Sequence, residues 1–217
     1  MTSAELEQIV EAKRDEIAAS ELHMPPELIL ECLEPSYRDF RAAIVDGRKD
    51  NSPRTIMLLQ RDVDCDFADM LESCQDGSVA CVIQTDRALY HGSLEDLDTA
   101  DLHTSVPLIR RDIIVDSYQI IESRQFGADA IILLASILTA DEIMQLTHRT
   151  REWGMDIIVE VTNAAELARA TEAEADIISI PADATAAADE LIAGIPEGTL
   201  IIAEAQKGAD AVIATAS

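Results

Sequence analysis

Of 217 residues, 42 are Asp or Glu and 16 are Lys or Arg, a formal net charge of −26 at pH 7. Phosphate-rich partners need basic residues to displace their counterions, and no basic run here exceeds Arg110–Arg111, so nucleic acid and anionic membrane surfaces are excluded. The 48% apolar share excludes a charged disordered chain, and the length suits one α/β domain over residues 1–217.

Leu6, Ile9, Val10, Lys13 and Ile17 recur at helical spacing behind Ser3, a suitable N-cap. This predicts an amphipathic leading helix over 4–19, stopped by Pro25 and Pro26, within a helical extension of residues 1–50. Over 51–217 short β-branched runs alternate with helix-patterned segments. TIMLL precedes DFADMLESCQ, VACVI precedes SLEDLDTADL, and PLIRRDIIV precedes SYQIIESRQF. AIILLA with ADEIMQLTHRTREW, DIIVEV with AAELARATEA and DIISI with TAAADELIA follow, and TLIIA and DAVIA close the chain. Continuous apolar runs of this kind read as strands covered on both faces. Gly77, Gly127, Gly154 and Gly198 stand where left-handed residues end helices. Eight strands favour a closed TIM-type (βα)8 barrel over an open doubly wound sheet.

One join is short. Only Glu204 to Ala209 separate TLIIA from DAVIA, against ~10–12 residues for a usual parallel crossover, and the sequence stops at Ser217. Degenerate last βα units are therefore expected, without helices seven and eight. The tail 210–214 is expected to leave an open or irregular seam beside 199–203, with a homodimer partner covering the exposed strand faces.

The residues PLIRRDIIVDSYQIIESRQFGADA (107–130) closely resemble the third strand and helix of indole-3-glycerol phosphate synthases, where a run like LRKDFIIDPYQIYEARAAGADA stands. HGSLEDL (91–97), MDIIVEV (155–161), LEQIVEAKRDEIAA in the leading helix and YRDFRAAI (37–44) are similar to the family as well. The resemblance implies a ribulose-phosphate-binding type of barrel with an N-terminal extra helix. It also implies decarboxylating ring closure on a phosphorylated anthranilate-type substrate in tryptophan biosynthesis, without a cofactor or a metal.

That chemistry needs a cationic acid, carboxylates that steer protons and a phosphate cradle. By the resemblance, the family's general-acid lysine falls on Arg111, which keeps the charge but hardly donates a proton near neutral pH. Its first-strand Glu and Lys fall on Leu58 and Gln60, and its phosphate-binding loop is shortened to a stretch holding Asp62, Asp64 and Asp66. INNR becomes IPAD (180–183), and Ala205 and Thr215 replace the glycines of the phosphate grip. Arg111 and Glu160 remain as candidate catalytic residues, and Asp86, Tyr90, Arg110 and Asp112 as candidate substrate-binding residues, with Thr85 preserved. Each has a plainer reading: Glu160 fixes a loop, and Asp112 with Tyr118 and Gln119 holds a βα turn.

His23, His91, His103 and His148 lack metal-ligand spacing, and DVDCD (62–66) lacks a calcium loop's glycine and closing glutamate. Cys32, Cys65, Cys74 and Cys81 form no CxxC pair and no signal peptide precedes them, so reduced thiols in a cytoplasmic protein are expected. Thirteen Arg against three Lys on so acidic a chain suggest a surface suited to concentrated salt. The leading expectation is a synthase homologue that has lost or greatly weakened its ring closure. The alternatives are a working synthase relying on Arg111 and Glu160, or a non-catalytic partner of tryptophan-pathway enzymes. The barrel mouth is expected to be electronegative, with Asp62, Asp64, Asp86, Asp112, Glu160 and Asp183 facing Arg61, Arg87, Arg110 and Arg111.

Overall fold

A computed structural model describes residues 3–46, 53–59, 67–75, 77–182, 184, 188–203 and 208–215. Its strands are β1 (Arg54–Leu59), β2 (Ala80–Gln84), β3 (Leu108–Arg111), β4 (Ala130–Leu134), β5 (Asp156–Glu160), β6 (Ile177–Ile180), β7 (Leu200–Ala203) and β8 (Ala211–Thr215). They close into one parallel barrel in sequence order, as the eight apolar runs predict. The leading helix α1 (Ser3–His23) runs up to the proline pair, and the short α2 (Pro26–Leu30) and α3 (Phe40–Val45) follow it. Around the barrel lie α4 (Phe67–Gln75), α5 (Arg87–Tyr90), α6 (Leu94–His103), α7 (Ser117–Gln125), α8 (Ala140–Arg151), α9 (Ala164–Glu172) and α10 (Ala188–Gly194). No described helix is long and apolar enough to cross a membrane.

The expected seam does not occur. The tail forms β8, which pairs in parallel with β1 from Arg54–Ala211 to Leu58–Thr215 and meets β7 at Ile202–Ala211. The short crossover suffices because β8 is staggered on β7. The Asp210 N–H donates to the Ile201 carbonyl, and the Ile201 N–H donates to the Asp210 carboxylate. The level of Asp210 thus lies only about two strand residues, roughly 7 Å, below the end of β7 at Ala203. The seven residues between the two strands are long enough for that span. The outer positions Ile201, Val212 and Ala214 remain half-buried, less covered than the outer faces of β2 to β6.

Strand alternation divides the apolar residues into two cores. Ile56, Leu58, Val82, Ile109, Ile132, Ile158 and Ile202 pack inside the barrel, and α3 adds Phe40 and Ile44, which are fully buried and plug its N-terminal end. Leu59, Ile83, Leu133, Val159 and Ile178 face outward under the helices. The plug is tied down by Arg38, which pairs with Asp101 and Asp129 and donates to the Gly127 carbonyl. Gly127 (φ 94°) admits no side chain there, because a Cβ would stand 2.4 Å from Asp101.

A second correction concerns the cysteines. Cys74 of α4 and Cys81 of β2 are joined by a disulfide, and both are fully buried. Spacing alone hid this pair: the helix-to-strand return brings the Cα atoms to 6.1 Å, within bridging range. Cys32 is free and exposed, and Cys65 lies outside the described residues.

Candidate active site at the barrel mouth

In a parallel barrel the C-terminal strand ends carry the side chains open to chemistry. Inward positions continue upward from the apolar core to Leu58, Gln84, Arg111, Leu134, Glu160 and Ser179. Strand register sets Gln84 beside Arg111, and Glu160 beside both Leu134 and Ser179. Gln84 and Ser179 interrupt the apolar runs VACVIQ and DIISI at inward positions, a signal carried by strand parity and by no motif. Gln84 Oε1, Arg111 Nε and Ser179 Oγ are buried without a hydrogen-bond partner among the described residues, so the upper barrel presents a polar ring to its axis.

Arg111 and Glu160 meet there. The guanidinium donates from Nη2 to Glu160 at 3.0 Å and 2.9 Å from its two carboxylate oxygens, and it lies 5.9 Å from the centre of the Tyr90 ring. The pair is largely buried, which strengthens its attraction and makes each charge the compensation of the other. Tyr90 reaches this position from α5, which Asp86 caps by accepting the Leu89 N–H at 2.7 Å. His91 (φ 56°) and Gly92 then fold the loop against β2 so closely that a Cβ at Gly92 would sit 1.8 Å from the Gln84 carbonyl oxygen. Ser93 starts α6 by capping Asp96. The GSLEDL segment is thus a turn dictated by backbone contact.

Asp86, Arg110 and Asp112 come together in a different place. Arg110 alternates outward and is buried between β3 and α7, where it donates to Thr85 (3.0 Å), Glu122 (2.9 Å), Ser123 (3.0 Å) and Asp112 (2.8 Å). Asp112 also accepts from Thr85 at 2.6 Å and from the Ile113 N–H at 2.7 Å. Lys13 of α1 enters this network, 2.8 Å from Asp86 and 3.0 Å from Asp112, and is only 4% exposed. Burial alone would raise the Asp112 carboxyl, but Arg110 and Lys13 outweigh it and hold Asp112 well below the usual carboxylate range. Burial opposes the Lys13 charge likewise, and the Asp112 carboxylate holds it above the ordinary lysine value. Gln119 closes the turn after β3, accepting from the Val115 and Asp116 N–H groups and donating to the Ile113 carbonyl. This local bonding ends β3 at Arg111, short of the predicted run to Val115.

The structure therefore unites Arg111, Glu160 and Tyr90 at the mouth, with Leu58 forming apolar wall below them, and sets Asp86, Arg110 and Asp112 in a buried rim network. Gln60, Asp62, Asp64, Asp66, Arg61, Asp183 and Ala205 lie outside the described residues, and Thr215 is exposed at the end of β8. The three expected mouth acids that are described, Asp86, Asp112 and Glu160, are each paired with a cation. Lys13 is the cation that sequence reasoning omitted. Its signal was a lysine standing on the apolar stripe of the leading helix.

A closed eight-stranded parallel barrel with an N-terminal helix, and an ion pair with an aromatic ring at its strand C-termini, places the chain in the TIM-barrel class. Within that class, the family profile described as indole-3-glycerol phosphate synthase matches residues 3–182. An indole-3-glycerol phosphate synthase of Dechloromonas aromatica is 33% identical over 186 residues, covering 81% of this chain and 71% of that protein. One from Variovorax paradoxus is 33% identical over 195 residues with the same coverage, and one from Kineococcus radiotolerans is 38% identical over 104 residues, 48% of this chain and 38% of that protein. The chain belongs to the indole-3-glycerol phosphate synthase family. The matched span ends before β7 and β8.

Proposed function

We propose that this family member has lost or greatly weakened the decarboxylating ring closure and uses its barrel mouth otherwise. The observation that carries this reading is the Arg111–Glu160 ion pair at the position where the resemblance implies a proton-donating lysine. A guanidinium scarcely releases a proton near neutral pH, and one already bound to a carboxylate has its charge compensated. Leu58 supports the same reading, because an apolar side chain 9% exposed stands on the first strand where the resemblance implies a glutamate. Losing even one preorganised electrostatic group commonly costs about 10²–10³ in rate.

The test is a steady-state assay with the phosphorylated anthranilate substrate, at low salt and in several molar salt. We expect turnover at least about 10²-fold below that of the related synthases. The double change Leu58→Glu with Arg111→Lys is expected to raise it, by returning a carboxylate and a dissociable proton to the mouth. Wild-type turnover equal to that of the relatives would overturn the reading.

A further inference from the structure

We propose that Lys13 is a positioning residue through which the N-terminal helix sets the Tyr90–Arg111 stack at the barrel mouth. Its ammonium joins two loops at once. Asp86, on one side, begins α5: one carboxylate oxygen holds Lys13 at 2.8 Å, the other caps Leu89, and its carbonyl accepts the N–H groups of Tyr90 and Gly92, each at 3.2 Å. Asp112, on the other side, immediately follows Arg111 and receives Lys13 at 3.0 Å. The Thr85 N–H donates to the Arg111 carbonyl at 3.0 Å, so the two loops are stitched directly beneath the ammonium.

The charges make Lys13 more than a fastening. Asp86 and Asp112 are both 3% exposed and repel one another. Arg110 compensates Asp112 from the outer side of the wall, whereas Lys13 is the cation bound to Asp86 among the described residues. Without it Asp86 is a buried anion, whose relief is to turn toward water. The four-residue helix that begins at Asp86 turns with it and carries Tyr90 off the Arg111 guanidinium. The remainder of α1 has its own anchor, since Ile17 packs with Tyr118 and Ile121, and Tyr118 donates to the Met24 carbonyl at 3.1 Å.

NMR of the full-length chain, isotope-labelled at Tyr and Arg, tests this without any substrate, so its failure is separate from failure of the functional reading above. In Lys13→Met the Tyr90 ring signals are expected to shift and the Arg111 Nε–H to exchange about tenfold faster, as for a locally opened site. Tyr118 and Tyr37 should hold their positions, and Lys13→Arg should return the wild-type spectrum. Unchanged Tyr90 and Arg111 signals would overturn the proposal. So would a Tyr118 shift as large as that of Tyr90 with no rescue by arginine, the pattern of a helix merely detached. Should Lys13→Met fail to fold, Lys13→Gln keeps a hydrogen-bonding group between Asp86 and Asp112 while leaving the Asp86 carboxylate without its cation. The same Tyr90 shift is expected there, and its absence overturns the proposal.

Discussion

At the scale of single residues, Asp112 shows how burial and charge are reconciled. Two cations hold its carboxyl ionised, and its removal takes from each of them one buried partner, leaving Lys13 with Asp86 and Arg110 with Glu122. Asp112→Ala is expected to destabilise the chain by about 3–5 kcal/mol, read from urea unfolding near neutral pH. The pH dependence has a definite sign. A carboxyl whose folded pKa lies below its unfolded value contributes stability above the unfolded value, near ~3.9, and loses it as pH falls through the folded one. Wild-type stability should therefore drop on acidification below about pH 4, and the alanine variant should lack that share of the drop. Equal acid profiles would refute it. Arg111 and Glu160 were legible in the sequence because they sit in contiguous motifs on strand ends. Lys13 was legible only as a stripe member, since its partners Asp86 and Asp112 lie far along the chain and nothing local names them.

Among elements, the strands and helices could be read almost unaided, because parallel strands covered on both faces leave unbroken β-branched runs and the helices between them carry ordinary caps. What could not be read was how the elements meet. Stagger between β7 and β8 is a property of closure, absent from either segment taken alone, and it turned a linker that looked too short into a sufficient one. The Cys74–Cys81 bridge between α4 and β2 is the same kind of fact. It closes a loop of about eight residues, which the chain-entropy relation values at about 2.5 kcal/mol. Reduction by dithiothreitol, or Cys74→Ala with Cys81→Ala, is expected to lower the urea midpoint by a corresponding amount while the far-ultraviolet circular dichroism of the fold persists. An unchanged midpoint would show that the bridge does not stabilise α4 against the barrel.

For the molecule as a whole, −26 is a self-repulsion that compact folding intensifies. The screening length falls from ~10 Å at 0.1 M salt to ~3 Å at 1 M, which weakens repulsion between exposed charges, whereas the buried Lys13 and Arg111 pairs are screened much less. Salt should therefore relieve the surface without dissolving the mouth. Urea unfolding is expected to show a midpoint that rises between about 0.1 and 2 M sodium chloride, and a flat or falling midpoint would contradict this. Urea suits the measurement because guanidinium would itself supply the ions.

The plug at the barrel floor carries a consequence for how the chain is made. Phe40 and Ile44 leave the ribosome before any strand does, yet the socket that hides them includes Ile202 and Ala211. At about 5–20 residues per second, some ten to thirty seconds of synthesis separate the stopper from the last staves of its cask. Throughout that interval two large apolar side chains have only a partial seat, so the emerging chain keeps apolar surface open to water until its last strands are made.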